Sequence, residues 1–112
     1  MSSLPARLAE YTAALNRHDL DVVERMFAED ALYLSPGLPA PMRGRAAIMA
    51  AFRAYFAQHT DQVNGDEDVR PLGTHSIEAR WWLSSSTSSR MGTQRITFND
   101  AGEITRIEVV DG

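Results

Sequence analysis

Near Val63 the apolar residues of this chain change their spacing, and that switch limits the fold more than any other feature. Before it, Leu4, Leu8, Tyr11 and Leu15 recur at helical spacing, with Arg7, Glu10 and Arg17 on other faces. Asn16-Arg17-His18 interrupts the pattern. Asp19 then suits an N-cap, Asp21 favours the positive helix end, and Leu20, Val23 and Phe27 give a second, shorter helix its apolar stripe. Residues 31–35 alternate, Leu32 and Leu34 against Tyr33 and Ser35, which predicts a short strand. Pro36-Gly37-Leu38-Pro39-Ala40-Pro41 is a loop, because three prolines in six residues remove three backbone donors. Gly44 precedes a third helix striped by Ile48, Ala51, Phe52, Tyr55 and Phe56 and ending near His59-Thr60-Asp61.

After Val63 the pattern is one of strands and turns. Strands are expected over 69–72, 77–83, 91–98 and 104–110. Turns fall at Gly73-Thr74-His75, at the serine-rich 84–89 and at Asn99-Asp100-Ala101-Gly102, the last a good hairpin signal. The serine run reads as an exposed hairpin tip rather than as low complexity. Helices followed by meandering strands make an α+β protein with an antiparallel sheet. With 112 residues, a single domain over 1–112 is expected.

Composition removes several classes of function. There is no cysteine, hence no disulfide, zinc–thiolate site or thiol nucleophile. All eleven basic residues are arginine, so lysine Schiff-base chemistry is out. The net charge of −4 gives no pull towards phosphate backbones or anionic lipid, so no nucleic acid and no membrane is expected as partner. Met1-Ser2-Ser3-Leu4-Pro5 lacks the pattern of a secretory signal, and no apolar run is long enough to span a bilayer, which makes cytoplasmic the expected location.

Trp81 and Trp82 are adjacent in a strand and must face opposite sides of it. Trp81 shares parity with Ile77, Ala79 and Leu83 and reads as a core or pocket residue. Trp82, with Glu78 and Arg80, reads as an interface residue. His18, His59 and His75 sit at turns or helix ends without metal-ligand spacing, and read as exposed polar residues; no metal and no cofactor are expected. Asp66-Glu67-Asp68 reads as a solvated turn, at best a weak cation site. No glycine-rich phosphate loop and no Ser-His-Asp order is visible.

A series of segments carries a resemblance. Tyr11-Thr12-Ala13-Ala14-Leu15-Asn16, Asp19-Leu20-Asp21, Phe27-Ala28-Glu29-Asp30-Ala31, Pro36-Gly37, Gly44-Arg45-Ala46-Ala47-Ile48 with Phe52, and Phe98 to Ile104 resemble the nuclear transport factor 2-like superfamily. Within it they are similar to the branch of ketosteroid isomerases and SnoaL-like polyketide cyclases. The resemblance implies a cone of about three N-terminal helices packed on a curved antiparallel sheet. It also implies a deep pocket for a small apolar molecule bearing oxygen, and a homodimer packed through the sheet. Its motifs speak of fold more than of chemistry, since one scaffold hosts many functions.

In those isomerases a helix tyrosine and a protonated late-strand aspartate donate to the developing enolate, while an aspartate before a proline moves the proton. The tyrosine falls on Tyr11, the late-strand acid on Gln94 and the base on Ser35. A serine hydroxyl has no useful basicity near neutral pH, so the donor half of the site survives and the proton-shuttling half does not. Tyr11 is read either as this donor or as a core tyrosine, Gln94 as a pocket donor or a satisfied structural amide, and Tyr33 as a second pocket hydroxyl or ordinary packing. Phe52, Phe56 and Trp81 are expected to line the pocket. An isomerase or cyclase lacking the usual base follows; the alternative is a non-catalytic dimerisation or ligand-binding module whose pocket Tyr11, Trp81, Phe52 and Phe56 pack shut.

Overall fold

Each helix starts where a residue can satisfy its first free N–H groups or turn the chain into it. Ser3 accepts from the Ala6 N–H at 3.2 Å and opens α1, Leu4–Asn16. Asp19 accepts from the Val22 N–H at 3.4 Å and opens α2, Leu20–Met26. Gly44, at φ 92°, opens α3, Arg45–Gln58. A Cβ at Gly44 would meet only ordinary contact, so the backbone angle rather than space calls for glycine there. The computed structural model describes residues 3–36 and 40–111.

Six strands follow and intersperse these helices: β1 Phe27–Leu34, β2 Met42–Arg43, β3 Val63–Pro71, β4 Ser76–Ser84, β5 Ser89–Phe98 and β6 Ile104–Asp111. They form one sheet in the order β2-β1-β6-β5-β4-β3. The three helices cover its concave side, giving the expected α+β cone. Leu8, Val23, Phe27, Ile48, Ile96 and Ile107 are buried between the layers. The β5–β6 hairpin closes as the sequence predicts, with Asn99 Oδ1 accepting from the Ala101 and Glu103 N–H groups at 3.0 and 2.9 Å.

Several expectations are corrected. The sheet is not wholly antiparallel, because β1 pairs with β6 in parallel, Tyr33 opposite Ile107. Phe27 leaves the second helix: its φ of −90° and ψ of 139° are extended, and it begins β1 opposite Ile104, fully buried. Strand pairing overrides its place in the helical stripe, and β1 thereby starts four residues before 31 and ends at Leu34, leaving Ser35 just beyond. Met42 and Arg43, which the sequence reading leaves unplaced, pair with Tyr33 and Leu32. Of the proline-rich loop, residues 37–39 lie outside the described residues.

The largest correction concerns β3. It begins at Val63 rather than at 69, so Asp66-Glu67-Asp68 is not a turn. The segment 63–68 lacks apolar alternation because its inward residues, Asn64 and Asp66, face a cavity instead of packed core. A register shift between Glu67 and Arg70, with Asp68 at φ 51°, bends this edge strand.

Candidate functional site

Where α1 and α3 diverge over the sheet, they leave a cavity of about 340 Å³. Apolar and aromatic side chains dominate its wall: Leu15 from α1, Phe52 and Phe56 from α3, Trp81 from β4 and Val109 from β6. A chain of edge-to-face contacts stiffens that wall, Tyr11 against Phe27 at 6.1 Å, Phe27 against Phe52 at 6.1 Å and Phe52 against Tyr33 at 5.7 Å. Tyr11, Ser35, Tyr33, Phe52, Phe56, Trp81 and Gln94, named from the sequence, all border this one cavity.

Its polar groups come from both the helices and the sheet. Tyr11 is buried on α1 and its hydroxyl makes no hydrogen bond among the described residues. Burial holds that phenol well above its ordinary pKa, with Tyr33 and Asp66 nearby adding to the shift. Burial likewise pushes Tyr33 up to about 12, against an opposing pull from the Arg90 guanidinium. Both phenols therefore stay protonated near neutral pH and can donate.

Asp66 is the residue that sequence reasoning missed. It stands on β3 opposite Trp81, half-buried, inside the cavity wall. The Thr12 hydroxyl, one position along α1 from Tyr11, donates to its Oδ2. Gln94 donates from Nε2 to its Oδ1 at 2.7 Å. Burial raises the carboxyl above its ordinary range, and the two hydrogen bonds pull it back in part. No arginine or histidine forms an ion pair with Asp66 among the described residues. The signal available in the sequence was the Asn64/Asp66 alternation, inward polar residues at strand period, but three acids in a row resemble a turn.

Gln94 therefore spends one of its two amide N–H groups on Asp66. Ser35 lies at the cavity rim, past the end of β1. Three further polar atoms on lining residues are buried and unpartnered among the described residues: Trp81 Nε1, Gln62 Oε1 and Asn64 Nδ2. Trp82 also borders the cavity; by strand alternation it sits on the outer face, where its indole covers Gly65. His18 is not exposed as expected, since its ring packs 4.7 Å from Phe56 and Nε2 lies 3.3 Å from the Gln62 carbonyl oxygen. No group of three or more His, Asp or Glu able to hold a metal occurs among the described residues.

The model of the SnoaL-like domain family matches residues 8–107, nearly the whole of this cone and every cavity-lining residue but Val109. The chain belongs to the SnoaL-like domain family. It thus falls in the ketosteroid isomerase and SnoaL-like branch of the nuclear transport factor 2-like superfamily. Among solved structures this SnoaL-like domain is similar to a candidate polyketide cyclase from Sinorhizobium meliloti, 26% identical over 95% of this chain and 94% of the other, at a TM-score of 0.80. It shares the fold of an epoxide hydrolase/cyclase-like enzyme of salinomycin pyran-ring formation, 19% identical over 95% and 88%, TM-score 0.83. A Mycobacterium tuberculosis protein crystallised with estradiol-17β-hemisuccinate has the same fold, 19% identical over 92% and 88%, TM-score 0.81. No curated protein matches the SnoaL-like domain significantly. None of its described helices is long and apolar enough to cross a membrane.

Proposed function

We propose that this SnoaL-like domain binds a small, mostly apolar, oxygen-bearing molecule in the cavity and acts on it as an isomerase or cyclase. The observation that carries this reading is the Tyr11 hydroxyl. It is kept protonated by burial and has no hydrogen-bond partner among the described residues, in a cavity otherwise walled by rings. A ligand carbonyl oxygen accepting from Tyr11 gains most as it becomes an enolate, because a hydrogen bond from a fixed donor strengthens as negative charge develops on the acceptor. Gln94 and Tyr33 supply further donors, and Phe52, Phe56 and Trp81 hold the skeleton. Proton transfer of this kind calls on no cofactor. Relatives of the same fold support the choice of ligand, one holding a steroid ester and another designed to bind 17-OHP.

The protein works, on this reading, as one domain over 1–112 and as a cytoplasmic homodimer packed through the sheet. The support is on the outer face, where Met91 and Val110 are each 58% exposed and Val63 is 48% exposed around Trp82. The same patch favours the second reading, a dimerisation or ligand-binding module without catalysis.

Titration of the protein with 17-hydroxyprogesterone, followed by tryptophan fluorescence, tests the first reading. Trp81 sits in the wall, so binding is expected to change its emission. Tyr11→Phe keeps the ring and removes the donor, and is expected to slow any turnover by about 10²-fold. A Tyr11→Phe protein that turns substrate over at the original rate would remove Tyr11 from the site.

A further inference from the structure

We propose that Asp66 is the proton-transferring carboxylate of this cavity, the base that the loop after β1 no longer carries at Ser35. The inference rests on the reading of the cavity as a site for a carbonyl compound, and adds the group that would do the work there.

Three observations point to it. Asp66 belongs to the same wall as Tyr11, close enough that its charge is felt by the phenol. Its two oxygens are oriented from opposite sides, Oδ2 by Thr12 on α1 and Oδ1 by Gln94 on β5, which fixes the plane of the carboxylate towards the cavity. Both donors are neutral. An amide at position 66 would hold α1 to the sheet through the same two neighbours without the cost of desolvating a charge. A half-buried carboxylate held only by neutral donors, in a cavity, beside a phenol donor, is the arrangement of a working base rather than of a staple.

The step balances without a further reactant. Asp66 takes a proton from a carbon next to the ligand carbonyl, the C–H bond breaks, and its electron pair moves into an enolate whose oxygen accepts from Tyr11. Where the ligand carries a β,γ double bond the product is a dienolate, and Asp66 returns the proton to its γ carbon, which gives the conjugated isomer. Alternatively the enolate carbon bonds to a second carbonyl carbon of the same molecule, and Asp66 protonates the alkoxide so formed, which gives a ring. Thr12 and Gln94 are positioning residues in this scheme.

Hydrogen exchange reads the first half of that step directly. 17-Hydroxyprogesterone and 2-tetralone are incubated with the protein in D₂O, deuterium uptake beside the carbonyl is followed by mass spectrometry, and binding is measured in parallel by fluorescence. Bound ligand should exchange faster than in buffer, and Asp66→Asn should bind within about threefold of the parent while exchange falls by about 10²–10⁴-fold. Thr12→Val keeps the carboxylate and removes a bond that favours its charged form, so the acid limb of the exchange–pH profile should move to higher pH. A purely structural role for Thr12 would lower stability and leave that limb in place. Binding without exchange, or exchange that Asp66→Asn leaves intact, overturns the role of Asp66 and leaves the pocket reading standing. Failure of both probes to bind overturns the pocket reading and the base with it.

Discussion

Gln94 on β5 reaches across β4 to Asp66 on β3, Nε2 to Oδ1 at 2.7 Å. Two strands that are not neighbours are thus tied on the concave face. The crossing is possible because Ala79, the residue of β4 opposite Gln94, is small and buried. A methyl group there leaves the amide a clear path to the carboxylate, while Trp81, next on the same face, stands opposite Asp66 itself.

Burial raises the Asp66 carboxyl above its ordinary range, so the folded state holds that proton more tightly than the unfolded chain does. Its contribution to stability is whole below the ordinary carboxylate pKa of about 4 and is lost as pH rises through the raised folded value. Asp66→Asn has no such dependence. Melting temperatures of both proteins from about pH 3.5 to pH 8 should show the difference, parent minus variant, falling over the acid part of the range and flat above it. A difference that stays constant or climbs with pH would contradict the burial of that charge.

Trp82 lies so close over Gly65 that a Cβ on Gly65 would come within 2.2 Å of its ring. An indole covering a glycine on an edge strand fills the gap the missing side chain leaves. Gly65→Ala must push the indole outward, at a cost of about 1–3 kcal/mol. For a domain of this size that is a drop in melting temperature of roughly 4–20 °C, with a shift in tryptophan emission. A Gly65→Ala protein with the parent's stability and spectrum would show that Trp82 does not rest there.

Met91, Trp82 and Val110 face outward from neighbouring strands. If the homodimer packs through this face, Met91→Glu combined with Val110→Glu places charges in its centre and should give monomers by light scattering, with ligand binding retained. A parent protein that is already monomeric at high micromolar concentration removes the dimer.

The fold was legible because its strongest signals are local. The stripe of α1, the glycine before α3 and the asparagine-led turn after β5 each act within a few residues. What stayed hidden depends on partners distant in the chain. Phe27 is extended because Ile104 pairs with it, and nothing near Phe27 announces this. The site divided along the same line. Tyr11 could be found through its motif, and Tyr33 through its parity with Ser35. Asp66 could not, because an acid in a run of three looks solvated until a helix donor and an amide two strands away close over it.

The placement of β6 has a consequence for how the protein is made. Among the described residues this last strand alone joins β1 and its small partner β2 to the other three strands, lying between β1 and β5. On a ribosome the helices and β1 emerge first, yet β1 has no neighbour on that side until β6 arrives. The cavity wall, which takes Tyr33 from β1 and Val109 from β6, therefore closes only after β6 has been made. A nascent chain arrested before Ile104 is released would carry α1 and every residue of the Thr12–Asp66–Gln94 link, and still be unable to hold a ligand.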